Sequence, residues 1–112
     1  MGKGEFLGEF EQVVLLAVAC LEGDGYGMTI RREIEERTGR RVSIGPVYST
    51  LRRLESKGHL ISRLGEATPV RGGRATRYFQ IESAGIRSLQ ESRAMLDQMW
   101  QGVWFQPQRE GT

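Results

Sequence analysis

The stretch VSIGPVYSTLRRLESK, from Val42 to Lys57, decides how the chain is read. Ile44, Val47, Leu51 and Leu54 recur at steps of three and four, which makes one apolar stripe on a helix. Tyr48, Ser49, Arg52, Arg53 and Lys57 are left for the other face. Ser43 is placed to cap the start, because its hydroxyl can accept from a backbone N–H with no partner inside the helix. Pro46 falls in the first turn, where its missing donor costs little. Gly58 ends the segment. Short polar groups in front and cations on the flank suit a helix that enters a DNA major groove, where hydroxyls reach base edges and phosphates and cations reach the backbone. The segment is therefore predicted to be a recognition helix.

Working backwards, a second helix is expected from about Tyr26 to Thr38, with Tyr26, Ile30 and Ile34 inward and Arg31, Arg32, Glu33, Glu35 and Glu36 in water. The turn Gly39 to Val42 joins it to the next helix, the short connection of a helix-turn-helix. Before the glycine-rich break Glu22 to Gly27, a first helix carries Phe10, Val13, Val14, Ala17, Val18 and Leu21 on one side. Leu15, Leu16 and Ala19 make its other side apolar as well, so it is expected to be either well buried or in contact with a second subunit or the last helix. Cys20, the lone cysteine, is expected to be a buried structural thiol.

Working forwards, His59 to Leu64 and Ala75 to Ile81 have the β-branched, aromatic and alternating pattern of two strands. Gly65 to Arg74 between them is long and rich in turn formers, and Arg71 and Arg74 flank two glycines that let backbone approach a duplex. This is the pattern of a wing. A last helix is expected from a Ser83 cap to about Trp104, with Ile86, Leu89, Leu96, Met99, Trp100, Val103 and Trp104 in a roughly heptad seam. So small a domain has little core to cover that seam, and pairing with the same helix of a second subunit covers it most simply. Packing back on the first helix, or an aromatic cavity around the two tryptophans, are the other readings.

Charge follows the same division. From Arg37 to Arg77 the chain has ten Lys or Arg against two Glu, whereas the remainder has six basic against twelve acidic residues. A basic middle points to a polyanion. No run approaches the length of a membrane span, and Met1 to Gly8 lacks the apolar core of a signal peptide, so a cytoplasmic protein is expected. No metal site, cofactor or catalytic centre is expected either. His59 is the sole histidine, no residues have zinc spacing, no phosphate-cradling loop follows a strand, and no nucleophile sits beside a base.

These residues resemble the PadR-type winged-helix transcriptional regulators over roughly Leu7 to Leu96. The resemblance rests on Tyr26-Gly27; on Ser43, Gly45, Val47-Tyr48, Leu51, Arg53-Leu54-Glu55 and Gly58 to Ile61; and on Gly73-Arg74, Arg77-Tyr78-Phe79, Ile81 and Gly85. It implies a homodimer on a pseudo-palindromic operator, usually a repressor, of the compact branch with a single dimerisation helix. Tyr48 matches the family's recognition-helix tyrosine, Arg53 a common basic position and Gly73-Arg74 the wing-tip pair. Ala75 replaces a usual proline, Thr76 a usual basic residue and Glu82 a usual threonine, changes that loosen the wing, remove a phosphate contact and shift the last cap to Ser83. In some relatives a small aromatic or drug-like molecule relieves repression. Where a drug-binding relative has an interface tryptophan this chain has Leu96, with Trp100 and Trp104 about one and two turns further on.

The expected architecture is thus mainly α with a small antiparallel β-wing: a winged helix-turn-helix over 1–82, a C-terminal dimerisation helix over 83–106 and a flexible tail over 107–112. Ser43, Tyr48, Ser49, Arg52, Arg53, Lys57, Arg71, Arg74 and Arg77 are the expected contacts to double-stranded DNA. Leu16, Leu89, Leu96, Met99, Trp100, Val103 and Trp104 are the expected dimer interface. The rival reading is a winged-helix module that docks a protein partner without binding DNA.

Overall fold

A computed structural model of the chain describes residues 6–66 and 75–107, in the order α1 (Glu9–Cys20), α2 (Gly27–Thr38), α3 (Ile44–Ser56), β1 (Leu60–Leu64), β2 (Arg77–Ile81) and α4 (Ser83–Trp100). The stripe of α3 is the floor of the core. Val47, Leu51 and Leu54 are fully buried and meet Val14, Leu15 and Val18 of α1 and Ile30 and Ile34 of α2. Three helices thereby bury the apolar stripes that their spacing had marked.

Local chemistry sets the helix ends. Glu11 reaches back from the first turn of α1 to accept the Gly8 N–H at 3.0 Å, and Thr29 does the same for the Tyr26 N–H at 3.0 Å. Gly39 closes α2 in the left-handed region at φ 73°. After α3, the Gly58 N–H donates to Glu55 O and the His59 N–H to Leu54 O, both at 3.0 Å, with Gly58 at φ 83°. That left-handed glycine turns the chain straight into β1.

β1 and β2 pair antiparallel with Leu60 opposite Ile81, Ser62 opposite Phe79 and Leu64 opposite Arg77. Leu60 and Phe79 complete the core. The Phe79 N–H also donates to Gly25 O at 2.9 Å, so the segment before α2 lies on the far edge of β2. The fold is the expected winged helix, mainly α with a small antiparallel sheet.

Several local expectations are corrected. Ser43 holds the cap position of α3 by its extended backbone, yet its hydroxyl makes no capping hydrogen bond and stays exposed. Glu82, not Ser83, occupies the cap position of α4, and Ser83 is its first helical residue. The helix ends at Trp100, short of Trp104 and of the expected limit at 106, because Gly102 turns the chain at φ 73°. Val103 and Trp104 therefore lie beyond it. Cys20 is exposed rather than buried, since it is the last residue of α1. Arg31, Glu33 and Glu35 are half-buried rather than simply wet.

α4 touches the domain through small residues. Gly85 and Ser92 are its buried positions, whereas Ile86, Leu96, Met99 and Trp100 are exposed. A Cβ on Gly85 would lie 2.5 Å from His59 O, so glycine is what lets the helix start this close to the strand entry.

Candidate nucleic-acid interface

With its apolar stripe buried, α3 turns the opposite face outward. Ser43, Tyr48, Ser49, Arg52, Arg53 and Lys57 are all exposed. The turn that aims this face is clamped from α2. Glu35 Oε2 accepts the Val42 N–H at 3.2 Å, and Arg31 Nη1 reaches both Glu35 and Val42 O at 3.5 Å. This clamp fixes the angle between the two helices and explains why those two charged residues leave the solvent.

Tyr48 has a seat of its own. A Cβ on Gly27 would fall 2.4 Å from the Tyr48 ring carbon that bears the hydroxyl, so the ring lies directly on the first residue of α2. Tyr48 is nonetheless 44% exposed, with its hydroxyl oxygen among the atoms that lie on Gly27. Gly27 thus seats a side chain of the exposed α3 face. Ser49 donates to Pro46 O at 3.3 Å and keeps acceptor capacity outward.

On one flank, Tyr48, Arg52, Glu55, Arg77 and Phe79 line a cavity of about 420 Å³ between α3 and β2. Arg77 donates to Ser62 Oγ at 2.9 Å, and Ser62 donates to Glu55 at 2.7 Å, so the strand cation is tied to α3 through a hydroxyl. Arg52 is exposed and pairs with no other group among the described residues. Arg71 and Arg74, the expected wing contacts, lie outside the described residues.

The other flank holds a group that local sequence patterns do not show. Glu11 of α1, only 9% exposed, takes Arg53 Nε and Lys57 Nζ on one carboxylate oxygen, each at 3.1 Å. Burial raises the affinity of this carboxyl for a proton. The hydrogen bonds from Gly8, Arg53 and Lys57, with the Lys57 charge, outweigh that effect and hold its pKa below the ordinary carboxylate value. Other cations are also engaged: Arg40 grips Glu9 at 3.0 and 3.1 Å, and Arg63 lies 4.7 Å over the Tyr78 ring. These partners are 31 to 46 residues apart along the chain for Glu9 and Glu11, so no short-range signal could have found them.

Away from this face, Leu16, Leu89, Leu96 and Trp100 come together on one groove of about 630 Å³ between α1 and α4. Met99, Val103 and Trp104 of the expected interface stand exposed beside it. Among the described residues no helix is long and apolar enough to cross a membrane, and no cluster of His, Cys, Asp or Glu has the make-up of a metal site.

Residues 15–91 match the model of the Transcriptional regulator PadR-like family. The Transcriptional regulator Rv3488 of Mycobacterium tuberculosis is 36% identical over 78 residues, which cover 70% of this chain and 68% of that protein. Among solved structures, a PadR family transcriptional regulator from Eggerthella lenta aligns with a TM-score of 0.67 at 26% identity, over 85% of this chain and 82% of that one. A transcriptional regulator from Clostridium thermocellum aligns with a TM-score of 0.67 at 24% identity, over 80% and 84% of the two chains.

Proposed function

The chain belongs to the PadR-like family of transcriptional regulators, and from that premise we propose that it is a sequence-specific DNA-binding repressor acting as a homodimer. The observation that carries this reading is the two-sided α3: a fully buried stripe of Val47, Leu51 and Leu54, opposite an exposed face of Ser43, Tyr48, Ser49 and Arg52. Each subunit lays that face in a major groove. Ser43, Tyr48, Ser49 and Arg52 read base edges or adjacent phosphates, and Arg77 with the wing residues Arg71 and Arg74 supplies charge along the backbone. Arg53 and Lys57 supply charge from the other flank. Blocking polymerase by occupancy needs no chemistry, and such work on chromosomal DNA belongs in the cytoplasm.

A second copy of α4 covers the exposed seam around Leu96, Met99 and Trp100, with Leu16 and Leu89 at the base of the groove. Val103 and Trp104 join this interface from beyond the helix end. The two recognition helices then sit about one helical turn apart, roughly 34 to 36 Å. The groove also has the size and apolar lining for a small aromatic effector, whose binding would quench Trp100 fluorescence and release the DNA. Selection of duplexes from a random pool, followed by hydroxyl-radical footprinting, tests the reading. Two protected patches related by two-fold symmetry at that spacing are expected, whereas a single asymmetric patch would contradict the dimer.

A further inference from the structure

We infer that Glu11 sets DNA specificity from outside the DNA interface, as a positioning residue that acts through Arg53 and Lys57 of α3. This rests on the DNA-binding reading. Arg53 and Lys57 are one turn apart on the same flank, where like charges repel and long side chains sample many rotamers. Glu11 removes both problems at once. One of its oxygens is held by the Gly8 N–H at 3.0 Å, which fixes the carboxylate, while the other takes both cations at 3.1 Å. Arg53 is further oriented by Thr50, whose hydroxyl oxygen lies 3.4 Å from Nη2.

The cations are pinned without being consumed. Glu11 engages Arg53 through Nε, and Lys57 gives one of the three donors of its ammonium, so both keep donors for a phosphate. Their side chains remain 51% and 37% exposed. Electrostatically the cluster shows a duplex one net positive charge instead of two. Attraction to any phosphate backbone is lowered, while the geometry needed at a matched site is preserved. The charge effect weakens binding to every duplex alike, and the pinned geometry, useful only at a matched site, widens the gap between specific and non-specific binding.

The test measures binding of purified protein to a duplex recovered by selection and to an unrelated duplex of equal length, across a salt series. Glu11→Gln keeps the shape and the Gly8 contact and removes the charge. It should tighten binding to the unrelated duplex by about threefold at low salt and lower the ratio of specific to non-specific affinity by roughly tenfold. A purely structural role would weaken both duplexes together, and an unchanged ratio in folded Glu11→Gln protein overturns the proposal. Should that variant fail to fold, Glu11→Asp carries the test: charge is kept but reach is lost, so affinity for the selected duplex falls alone, and an unchanged ratio again overturns the proposal. Wild-type protein that binds neither duplex would sink the DNA-binding reading, and the proposal with it. Selective wild-type binding with an unaltered ratio in the variants would sink the proposal alone.

Discussion

Replacing Gly27 by alanine should separate folding from DNA binding. The added Cβ would meet the Tyr48 ring at 2.4 to 2.5 Å, whereas ordinary contact begins at 3.4 Å, so the ring tip must retreat by about 1 Å. Tyr48 is 44% exposed, and the clashing atoms are the far end of its side chain, so the ring can swing outward. The lost ring packing is partly offset by alanine's helix preference, worth up to about 1 kcal/mol, and net stability should move by less than about that amount. The hydroxyl fares worse, because a shift of about 1 Å is enough to break a hydrogen bond to a phosphate or base edge. A bond to a charged partner contributes about 1.5 to 3 kcal/mol, which corresponds to roughly 10- to 150-fold in affinity. Fluorescence anisotropy on a selected duplex reads the affinity, and urea melts read the stability. Tyr48→Phe should lose a similar factor, and the double variant should lose little more than either single one, because both act on the same hydroxyl. Full affinity in Gly27→Ala, or losses that simply add, would refute this role of the Tyr48 seat.

Three further outcomes follow from the packing and charge. Gly85→Ala places a Cβ 2.5 Å from the His59 carbonyl oxygen, a backbone atom that cannot swing aside; unfolding in urea should show a loss of about 1 to 3 kcal/mol, and an unchanged melt would mean that α4 leaves the strand differently. The Glu11 carboxyl is held below its ordinary value of 4.5 in the folded protein, so its contribution is complete above the unfolded value and fades as pH falls through the lowered folded value. Melting temperature followed below about pH 4.5 should fall less steeply in Glu11→Gln than in wild type, and coincident acid limbs would contradict the linkage. Leu96→Asp puts a charge in the exposed seam of α4; sedimentation velocity should show a shift from dimer to monomer, and an unshifted dimer would place the interface elsewhere.

The core and the two-faced α3 were legible in the sequence because they rest on periodicity. Val47, Leu51 and Leu54 are buried where their spacing put them, and Gly39 and Gly58 end helices as glycines with positive φ do. The ends of α4 were less legible. Its apolar spacing continues past Trp100, while the break comes from the backbone of a single glycine, Gly102. Cys20 was misplaced because its residue type suggests burial and its position at a helix end decides exposure. Within the site, Tyr48 and Arg52 stood out as polar residues on an amphipathic helix. Glu11 did not, because an acidic residue in a first helical turn already has a local explanation in the helix dipole. Its partners Arg53 and Lys57 come to it only through the packing of α1 on α3. Gly27 likewise reads as the end of a glycine-rich break until the Tyr48 ring is found lying on it.

Whether this protein is an operator-binding regulator is decided by its binding to the DNA immediately upstream of its own gene, titrated against salt beside an unrelated duplex. Tight, upstream-selective binding is expected, its logarithm falling linearly and steeply with the logarithm of salt concentration, as phosphate contacts from a basic α3 and wing require. Absence of binding to both duplexes at low salt would contradict it and return the exposed face of α3 to a protein partner.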